Sequence, residues 1–379
     1  MRINLVCYSL RGGGAERVAV NLADAWVARG HEVIATTMTP LSEVEYSPDQ
    51  RVQLQSLSEP KPLRVGGAGM LDRLLRLRRA LRSNRPDLVV AVQGNMVIET
   101  ALASIGQPWP LIGCEHNHPD HAVQGRFWNA IRFSAYRRLN LLTTLAEGAA
   151  DALRQRVGRV TVQVIPNAVR WPGVDGEPRL AVEEVVPDGR TMVLSAGRFV
   201  EAKNFGDLIR AFASVSKGRP EAHLVILGDG PQRQSMADLA GSLGLADKVS
   251  LPGRVGNMSD WYGAARIFAM SSLWEGMPMV MLEAMAHGVP VACYDFRYGA
   301  RDIVRPGLDG VISRENTPEA LGEAIAALLD DEPRRHAMAA AALDVRERFG
   351  EAAVMAQWDA VLAQMRGKKR APNESGARD

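Results

Sequence analysis

The chain alternates short apolar runs with amphipathic helical patterns, and this alternation occurs in two separate series. The first series opens with INLVCYS, AERVAVNLADAWVARG and HEVIATTMT, which predict a strand, a helix and a second strand. Strands that are joined through helices lie parallel in one sheet. Further strands are predicted at RPDLVVAVQ, PLIGCEH, LNLLTTLA and VTVQVIPNAV. The pattern therefore predicts a Rossmann-like α/β domain over residues 1–170.

A second series follows a stretch that is rich in Pro, Gly and acidic residues. Residues 171–190, WPGVDGEPRLAVEEVVPDGR, have the composition of a linker. Strands are then predicted at TMVLSAGR, AHLVILGDG, KVSLPGRV, RIFAMSS, VPVACYD and DGVISRE. We predict a second Rossmann-like domain over residues 191–350 and a last helix over 351–366 that crosses back to the first domain. Residues 367–379 are predicted to be a disordered tail. The length of 379 residues also favours two domains.

The charges are nearly balanced over the whole chain but not between its halves. Lys and Arg total 45 and Asp and Glu total 43, which gives a net charge of +2. Residues 1–180 contain 22 basic and 16 acidic side chains, a balance of +6, and residues 181–379 therefore have a balance of −4. A basic first half favours contact with an anionic partner, such as lipid headgroups or a phosphorylated acceptor. Solvated helix faces would account for much of the same excess.

The cysteines and the hydropathy pattern bear on location. Cys7, Cys114 and Cys293 lie far apart in apolar runs and form no paired spacing, which predicts reduced, buried thiols. The N-terminal run enters a strand too soon to be a signal peptide, and no run of about 18 apolar residues is present to span a membrane. We expect a cytoplasmic location, with a peripheral position at the cytoplasmic membrane face as an addition.

The stretch SSLWEGMPMVMLEAMAHGVP, residues 271–290, carries two glutamates that are eight positions apart. Glu275 falls in a predicted loop, and Glu283 falls inside a helix that is predicted to begin at Pro278 and end near His287. The N–H groups at a helix start bind anions, while a flanking carboxylate accepts hydrogen bonds from hydroxyls. A diphosphate with hydroxyls on both sides describes a nucleotide-sugar. Alternatively, both glutamates are ordinary surface residues beside core methionines.

Three further loops follow predicted strands, which is where α/β sheets bind their ligands. In SAGRFVEAKN, Arg198 and Lys203 place two cations five positions apart, an arrangement that suits a diphosphate. In LRGGGAER, Gly13 and Gly14 let the backbone approach a phosphate, although a tight turn explains the same glycines. In LPGRVGN, Val255 lies where backbone groups can surround a base.

The segment GCEHNHPDH, residues 113–121, contains three of the seven histidines. Its composition would suit a zinc site, but no Cys pair and no HExxH helix accompanies it, so we predict no metal. We predict instead that His116 reaches the cleft opposite the donor. A loop histidine without a function is the alternative.

Two predicted helices in the first half are strongly basic. LDRLLRLRRALR covers residues 71–82, and RFWNAIRFSAYRR covers residues 126–138. Such helices commonly bury one face in the core of their domain. A helix with basic and apolar residues on one surface also binds membrane surfaces, so a membrane or acceptor contact is the second interpretation.

In this order, the motifs resemble those of retaining glycosyltransferases of family 4, which have the GT-B fold. The resemblance extends to about residue 365 and rests on GGGAERV, VIPNAV, GRFVEAKNF, LGDGP, LPGRV and EGMPMVMLE. SLRGGGAERVAVNLA, CEHNHP and YDFRYGARDIV are similar to the branch that builds exopolysaccharides and lipid-linked glycans. The resemblance implies two Rossmann-like, doubly wound domains that face each other across a cleft. The first would bind the acceptor and the second the nucleotide-sugar.

The resemblance also implies a role for each matched residue. Arg198 and Lys203 would stabilise the departing diphosphate, and His116 would lie near the anomeric carbon. Glu275 would bind sugar hydroxyls and Glu283 the ribose hydroxyls. The remaining contacts with donor or acceptor would come from Gly13, Gly14, Gly276, Met277, Met279 and Val280. The family has no obligatory metal, which agrees with the lack of an Asp-x-Asp pair. At DFRYG, residues 295–299, the chain departs from the branch's proline-containing sequence, which leaves the sugar open.

We therefore predict a metal-independent, retaining glycosyltransferase that uses no cofactor beyond its nucleotide-sugar. It would move a hexose or N-acetylhexosamine, with UDP as the expected carrier, to a polyprenyl-diphosphate-linked or polysaccharide acceptor. A sugar-nucleotide epimerase of the same fold would need an acid–base pair, for which only the His116 region is available. A binding subunit without turnover is the non-enzymatic alternative. The missing GxGxxG pattern disfavours an NAD-dependent oxidoreductase, and no nucleic-acid partner is predicted.

Overall fold

The fold consists of two α/β units. The computed structural model describes residues 1–59, 67–116 and 126–366. One unit contains Met1–Asn167 together with the chain from Val354 onward, and the other contains Ala168–Ala353. Each unit has one parallel sheet with helices in the crossover connections. The prediction of two parallel α/β domains is confirmed.

The sheet of the first unit has seven parallel strands in the order β3-β2-β1-β4-β5-β6-β7. The strands are β1 (Arg2–Cys7), β2 (Glu32–Thr37), β3 (Gln53–Ser56), β4 (Leu88–Val92), β5 (Leu111–Glu115), β6 (Leu141–Thr144) and β7 (Val162–Val164). Of these seven strands, β3 alone was not predicted. It is an edge strand with the sequence QLQS and is only partly buried, so it lacks the apolar run of a central strand.

Helices connect these strands and cover the sheet. They are α1 (Gly14–Ala28), α2 (Gly67–Asn84), α3 (Gly94–Ala103), α4 (Arg126–Tyr136) and α5 (Glu147–Val157). The two basic helices predicted from the sequence correspond to α2 and α4. Leu77 and Leu81 of α2 are fully buried in the core of this unit, together with Val89 and Leu111 of the sheet. One face of α2 therefore packs in the core, as in the first interpretation of this helix.

The sheet of the second unit has six parallel strands in the order β10-β9-β8-β11-β12-β13. The strands are β8 (Thr191–Ala196), β9 (Ala222–Leu227), β10 (Val249–Gly253), β11 (Ile267–Met270), β12 (Val291–Cys293) and β13 (Gly310–Ile312). All six were predicted. The helices from the second unit onward are α6 (Phe205–Lys217), α7 (Arg233–Ser242), α8 (Met258–Ala264), α9 (Met279–Ala286), α10 (Ala300–Ile303), α11 (Pro318–Asp330), α12 (Glu332–Ala342), α13 (Val345–Arg348) and α14 (Glu351–Met365).

Helical periodicity explains how these helices pack. In α6, the residues Phe205, Leu208, Ile209 and Phe212 recur at the spacing of one helix face, and all four are buried. The last helix, α14, begins in the second unit and continues in the first from Val354 onward. There the ring of Trp358 lies 5.6 Å from that of Trp26 in α1, in an edge-to-face contact.

Residues 171–190, predicted as a linker, are held against the second unit by hydrogen bonds. Gly176 N donates to the carbonyl oxygen of Gly256 at 2.9 Å, and Gly256 N donates to that of Pro178 at 2.6 Å. Asn257 exchanges hydrogen bonds with the backbone of Leu180, at 3.0 Å in each direction. The guanidinium of Arg346 lies 3.7 Å from the ring centre of Trp171. This segment is therefore part of the second unit over much of its length.

Two further observations bear on the sequence predictions. The three cysteines are free thiols in buried positions, and burial raises the pKa of both Cys7 and Cys114 to about 12. Within the described ranges, no helix combines the length and apolar character that a membrane crossing requires.

In both sheets the strand order reverses beside the first strand, between β1 and β4 and between β8 and β11. Connections on the two sides of such a point run in opposite directions and leave a crevice at the carboxyl ends of the strands, where doubly wound sheets bind ligands. The fold therefore indicates one candidate crevice in each unit.

Candidate active site

The crevice of the second unit lies between the loops that follow β8 and β11. These strands are neighbours, with Ile267 paired to Val193 and Phe268 to Leu194. Hydrogen bonds join the two loops directly. Leu273 N donates to the carbonyl oxygen of Ala202 at 2.9 Å, and Ser271 Oγ bonds the carbonyl oxygen of Asn204 at 2.8 Å. The two loops are therefore fixed relative to each other by one main-chain hydrogen bond and one from a serine side chain.

Lys203 and Glu275 form an ion pair between these loops. Lys203 Nζ donates to Glu275 Oε1 at 2.5 Å, and Ser272 Oγ donates to the same oxygen at 2.7 Å. Their side chains are only 18% and 13% exposed. Partial burial strengthens this attraction, because less water screens the two charges. The structure thus places two of the predicted catalytic residues in contact and holds them in defined positions.

Arg198 lies in the same loop as Lys203, but its side chain is exposed. Glycines of the neighbouring turn after β9 make the conformation of this loop possible. A Cβ at Gly228 would lie 2.0 Å from the carbonyl oxygen of Gly197, and a Cβ at Gly230 would lie 2.6 Å from that of Phe199. The LGDGP motif is thus required by the close approach of two backbones. Over the described ranges, Arg198 forms no side-chain hydrogen bond or ion pair with the protein.

Glu283 lies inside α9, which begins one residue after Pro278. Its carboxylate is partly buried, and Glu283 Oε2 accepts a hydrogen bond from the hydroxyl of Tyr262 at 3.0 Å. The first N–H groups of an α-helix lack partners within the helix, and in α9 these include the amides of Met279 and Val280. Gly276 precedes them in the loop, and the side chain of Met277 is buried. The helix start and both glutamates therefore belong to one continuous strand–loop–helix unit, as predicted.

Residues 295–299, where the sequence departs from the family motif, lie against this strand–loop–helix segment. Trp274 and Arg297 form an isolated parallel bridge. Gly299 has a φ of +135°, and a Cβ there would lie 3.1 Å from the carbonyl oxygen of Gly276. Asp295 forms an ion pair with Arg301 at 2.7 Å. The unusual sequence is thus in backbone contact with the residues that flank Glu275.

Val255 is more distant in the topology. It follows β10, which is separated from β8 by β9, and it is partly exposed. The next residue, Gly256, is hydrogen-bonded to residues 176 and 178, as described above. The loop that contains Val255 is therefore tied to the segment before β8.

In the first unit, Gly13 and Gly14 lie at the start of α1. A Cβ at Gly13 would lie 2.2 Å from Glu16 Oε2, whereas a Cβ at Gly14 would meet nothing within 4 Å. Glu16 Oε1 accepts a hydrogen bond from Gln93 Nε2 at 2.9 Å, and Gln93 follows β4. The glycine turn is therefore linked to the loop on the other side of the strand-order reversal.

His116 directly follows β5 and is partly buried. Burial lowers the pKa of His116 to about 4, against an opposing effect of the Glu115 carboxylate, so the imidazole is neutral at pH 7. Residues 117–121 of the histidine-rich segment lie outside the described residues. Among those that are described, no group of three or more His, Cys, Asp or Glu side chains is arranged to hold a metal ion.

Beside His116 is a buried network that the sequence analysis did not identify. Arg132 Nη2 donates to Glu115 Oε2 at 2.7 Å, and the hydroxyl of Tyr136 donates to the same oxygen. The side chains of Glu115 and Arg132 are 0% and 5% exposed. A Cβ at Gly94 would lie 3.0 Å from Glu115 Oε2. These partners come from β5, α4 and the start of α3, so no local pattern reveals them. The local signal for this network was a charged residue, Glu115, at the end of an apolar strand.

Comparison with protein families assigns both units. Residues 12–170 match the profile of Glycosyltransferase Family 4, and residues 177–345 match that of Glycosyl transferases group 1. Together the two matches include every predicted site residue. The chain therefore contains a Glycosyltransferase Family 4 domain followed by a Glycosyl transferases group 1 domain, and the predicted resemblance to family 4 glycosyltransferases is confirmed.

The chain is also similar to individual proteins and solved structures. A GalNAc-α-(1→4)-GalNAc-α-(1→3)-diNAcBac-PP-undecaprenol α-1,4-N-acetyl-D-galactosaminyltransferase of Campylobacter jejuni is 26% identical over 373 residues, 97% of this chain and 99% of that protein. An exopolysaccharide phosphotransferase of Streptomyces coelicolor is 29% identical over 80% of this chain, which spans only 31% of that longer protein. The Anabaena protein HepE, solved with UDP and glucose, has a TM-score of 0.78 at 19% identity and covers 96% of this chain and 100% of its own. This last likeness confirms the GT-B fold.

Proposed function

We propose that this chain transfers a hexose or N-acetylhexosamine from a UDP-sugar to a lipid-linked or polysaccharide acceptor, with retention of configuration at the anomeric carbon. The observation that carries the proposal is the ion pair between Lys203 and Glu275, held at the strand-order reversal beside the start of α9. It brings a cation for phosphate and a carboxylate for sugar hydroxyls to one point. The UDP bound to HepE supports the choice of carrier.

The phosphate end of the donor is assigned to Arg198 and Lys203. As the glycosyl–phosphate bond breaks, negative charge develops on the diphosphate, and preorganised cations stabilise it without rearrangement. Lys203 has three N–H donors, so it can bond a phosphate oxygen while it remains paired with Glu275. Arg198 is exposed and offers a planar fork suited to two phosphate oxygens. The amides of Met279 and Val280 would add the partial positive charge of a helix start.

The hydroxyl groups of the donor are assigned to the two glutamates. Glu275 would accept hydrogen bonds from the sugar, with the backbone of Gly276 and Met277 beside it. Glu283 would accept hydrogen bonds from the ribose. The loop at Val255 would contact the base, and Gly13 and Gly14 would lie against donor phosphates or acceptor. Since Asp295–Gly299 contacts the Glu275 loop, we assign the choice of sugar to that segment.

Retention is proposed from the resemblance to retaining glycosyltransferases of family 4, and attack on the same face needs no protein nucleophile. The acceptor hydroxyl would attack the face from which the diphosphate leaves and would pass its proton to a departing phosphate oxygen. His116, neutral at pH 7, would bond the sugar near the anomeric carbon without placing a positive charge there. The α linkage in the name of the Campylobacter relative is the product expected when an α-linked donor reacts in this way.

We further propose that the reaction needs no metal ion, since Arg198 and Lys203 supply the positive charge that a divalent cation would otherwise bring to the diphosphate. If so, prolonged treatment with EDTA leaves the transfer rate unchanged. A loss of activity that Mg²⁺ or Mn²⁺ restores would contradict this part of the proposal.

The exposed face of α2 supports the proposal of a lipid-linked acceptor. Leu71 and Leu75 lie one turn apart and are 60% and 44% exposed, and Arg79 and Arg82 continue the same stripe in exposed positions. Leucines bordered by arginines suit an anionic membrane surface. The undecaprenol acceptor in the name of the Campylobacter relative supports the same interpretation. We therefore propose that α2 makes peripheral contact with the cytoplasmic face of a membrane.

A panel of UDP-, GDP-, ADP- and dTDP-sugars tests the donor assignment through thermal stability. A ligand at 100 times its Kd adds about 2.7 kcal/mol to the free energy of unfolding. We expect a UDP-sugar to give the largest increase, and incubation of that donor with a polyprenyl-diphosphate-linked glycan to yield an α-linked product. No increase with any of these nucleotide-sugars would overturn the proposal. Donor binding without transfer to lipid-linked or polysaccharide acceptors would indicate a binding subunit instead.

A further inference from the structure

We infer that Tyr262 is a positioning residue for Glu283 and thereby determines how tightly the ribose of the donor is bound. Tyr262 lies on α8, is only 1% exposed, and donates its hydroxyl hydrogen to Glu283 Oε2 at 3.0 Å. The inference rests on the proposed function, because it takes Glu283 as the ribose acceptor. Sequence analysis did not single out Tyr262, which stands 21 positions before its partner.

The hydrogen bond acts on the orientation of a flexible side chain. A glutamate has several rotatable bonds, and binding a ligand requires that this freedom be given up. Tyr262 bonds one carboxylate oxygen from the interior of the unit and so fixes the plane of the group before a ligand arrives. A hydrogen bond to an ionised acceptor is also stronger than one between neutral groups. The carboxylate is then preorganised toward the hydroxyls of a ribose.

Tyr262 is itself fixed by a series of ring contacts. Its ring centre lies 5.0 Å from that of His287, which in turn lies 4.7 Å from that of Trp171 in an edge-to-face arrangement. His287 Nδ1 donates to the main-chain carbonyl oxygen of Glu283 at 2.8 Å. The guanidinium of Arg346 covers the other end of the series, over Trp171. The hydroxyl of Tyr262 therefore has a defined position, and His287 restrains the backbone of the same glutamate.

Two nucleotides distinguish positioning from a general structural role. The unaltered protein and Tyr262→Phe are titrated with UDP and with 2′,3′-dideoxy-UDP, which lacks the ribose hydroxyls, by calorimetry below the unfolding temperature. We expect the substitution to weaken UDP binding by about tenfold, the effect of one charge-assisted hydrogen bond. Binding of the dideoxy nucleotide, already weaker, should change by less than about twofold, because it makes no use of Glu283.

Tyr294→Phe is the matched control. Tyr294 is also fully buried in the second unit, and its hydroxyl also bonds a carboxylate, that of Asp207 at 3.1 Å. Its substitution removes the same chemical group without touching Glu283. We expect it to lower thermal stability while leaving the ratio of the two nucleotide affinities as in the unaltered protein.

The outcomes separate this inference from the proposed function. Unchanged UDP binding in Tyr262→Phe, or an equal loss for UDP and its dideoxy form, would overturn the positioning role and leave the donor site in place. If the unaltered protein prefers GDP or ADP, that nucleotide and its dideoxy form take the place of UDP. Failure of the unaltered protein to bind any of UDP, GDP, ADP and dTDP would overturn the proposed function, and this inference with it.

Discussion

Both units have charged side chains at the carboxyl ends of their strands, but these charges are buried in the first unit and accessible in the second. In the first unit, Glu115 is bonded to Arg132 and Tyr136 inside the protein, and the neighbouring His116 is held neutral. In the second unit, Lys203 and Glu275 are paired but partly exposed, and Arg198 extends into solvent. The sheet of one unit therefore ends in a closed ionic network, and the sheet of the other ends in accessible charges.

This difference follows from the physics of ion pairs. A buried pair is desolvated, so its partners are held to each other and removal of one is strongly destabilising. A partly exposed pair keeps some contact with water and can exchange that contact for a charged ligand. The comparison predicts that substitution of the charged residues of the first unit mainly lowers the free energy of unfolding. Substitution of those in the second unit should mainly lower the rate of sugar transfer.

The largest effect on stability is expected from Glu115→Gln. The substitution keeps the shape of the side chain but removes the carboxylate that faces the Arg132 guanidinium, whose side chain is 5% exposed. Breaking a buried pair in this way costs about 3–5 kcal/mol. Denaturant titration of the purified variant measures the loss in the free energy of unfolding.

Glu147→Gln is the control within the same unit. Glu147 also pairs with an arginine, Arg154, but their side chains are 64% and 44% exposed. Solvent screens an exposed pair, which therefore contributes little, so the stability of this variant should be close to that of the unaltered protein. Equal stabilities for the two variants would mean that the Glu115 network does not differ from a surface pair.

A loss of transfer is expected from Lys203→Ala. The substitution removes a cation from the proposed leaving group and also the partner of Glu275, so the transfer rate should fall by about 10²–10³-fold. Arg198→Ala should cost less, about 1.5–3 kcal/mol in transition-state stabilisation, because Arg198 supports no second site residue. Steady-state kinetics with the preferred donor measure both changes as kcat/KM.

Lys217→Ala tests whether any lysine of the second unit has this effect. Lys217 is the exposed last residue of α6, away from the loops that carry Lys203 and Glu275. Its substitution should leave kcat/KM unchanged. An unchanged transfer rate in Lys203→Ala would contradict a catalytic role for the accessible charges. If its stability fell as well, the charges of both units would serve stability alone.

The parts of this picture that the sequence could predict are those with local signals. Apolar runs and helical periodicity identified twelve of the thirteen strands within the described residues, and the exception, β3, is a short polar edge strand. The loop that carries Lys203 and the helix that carries Glu283 were predictable because glycines, Pro278 and a buried strand mark their boundaries. The contact between Lys203 and Glu275, in contrast, was not predicted and is seen only in the structure.

What could not be predicted depends on contacts between distant segments. The bond from Tyr262 to Glu283 and the network of Glu115 each join elements that only the folded chain brings together. The segment 171–190 looked like a linker because its composition is that of one, and composition carries no information about the hydrogen bonds that hold it to Gly256 and Asn257. Such contacts form only when folding brings distant segments of the chain together, so local sequence patterns do not reveal them.

The smallest expected effect is a pH dependence that His116 gives to the stability of the first unit. The pKa of His116 is about 4 in the fold, below the usual 6.5, so between these values the unfolded chain binds more protons than the folded one. Stability is therefore nearly complete above about pH 6.5 and falls as the pH decreases toward 4, by about 2 kcal/mol between pH 7 and pH 5.

Substitution of His116 by Asn should remove this dependence, so the difference in unfolding free energy between the two proteins should shrink as the pH falls. A difference that grows at low pH would have the opposite sign and would mean that His116 becomes protonated in the fold. In that case the attraction of the Glu115 carboxylate outweighs the burial of the imidazole. The first unit would then present a cation at its crevice below neutral pH, and the contrast between a closed and an accessible set of charges would hold only above that pH.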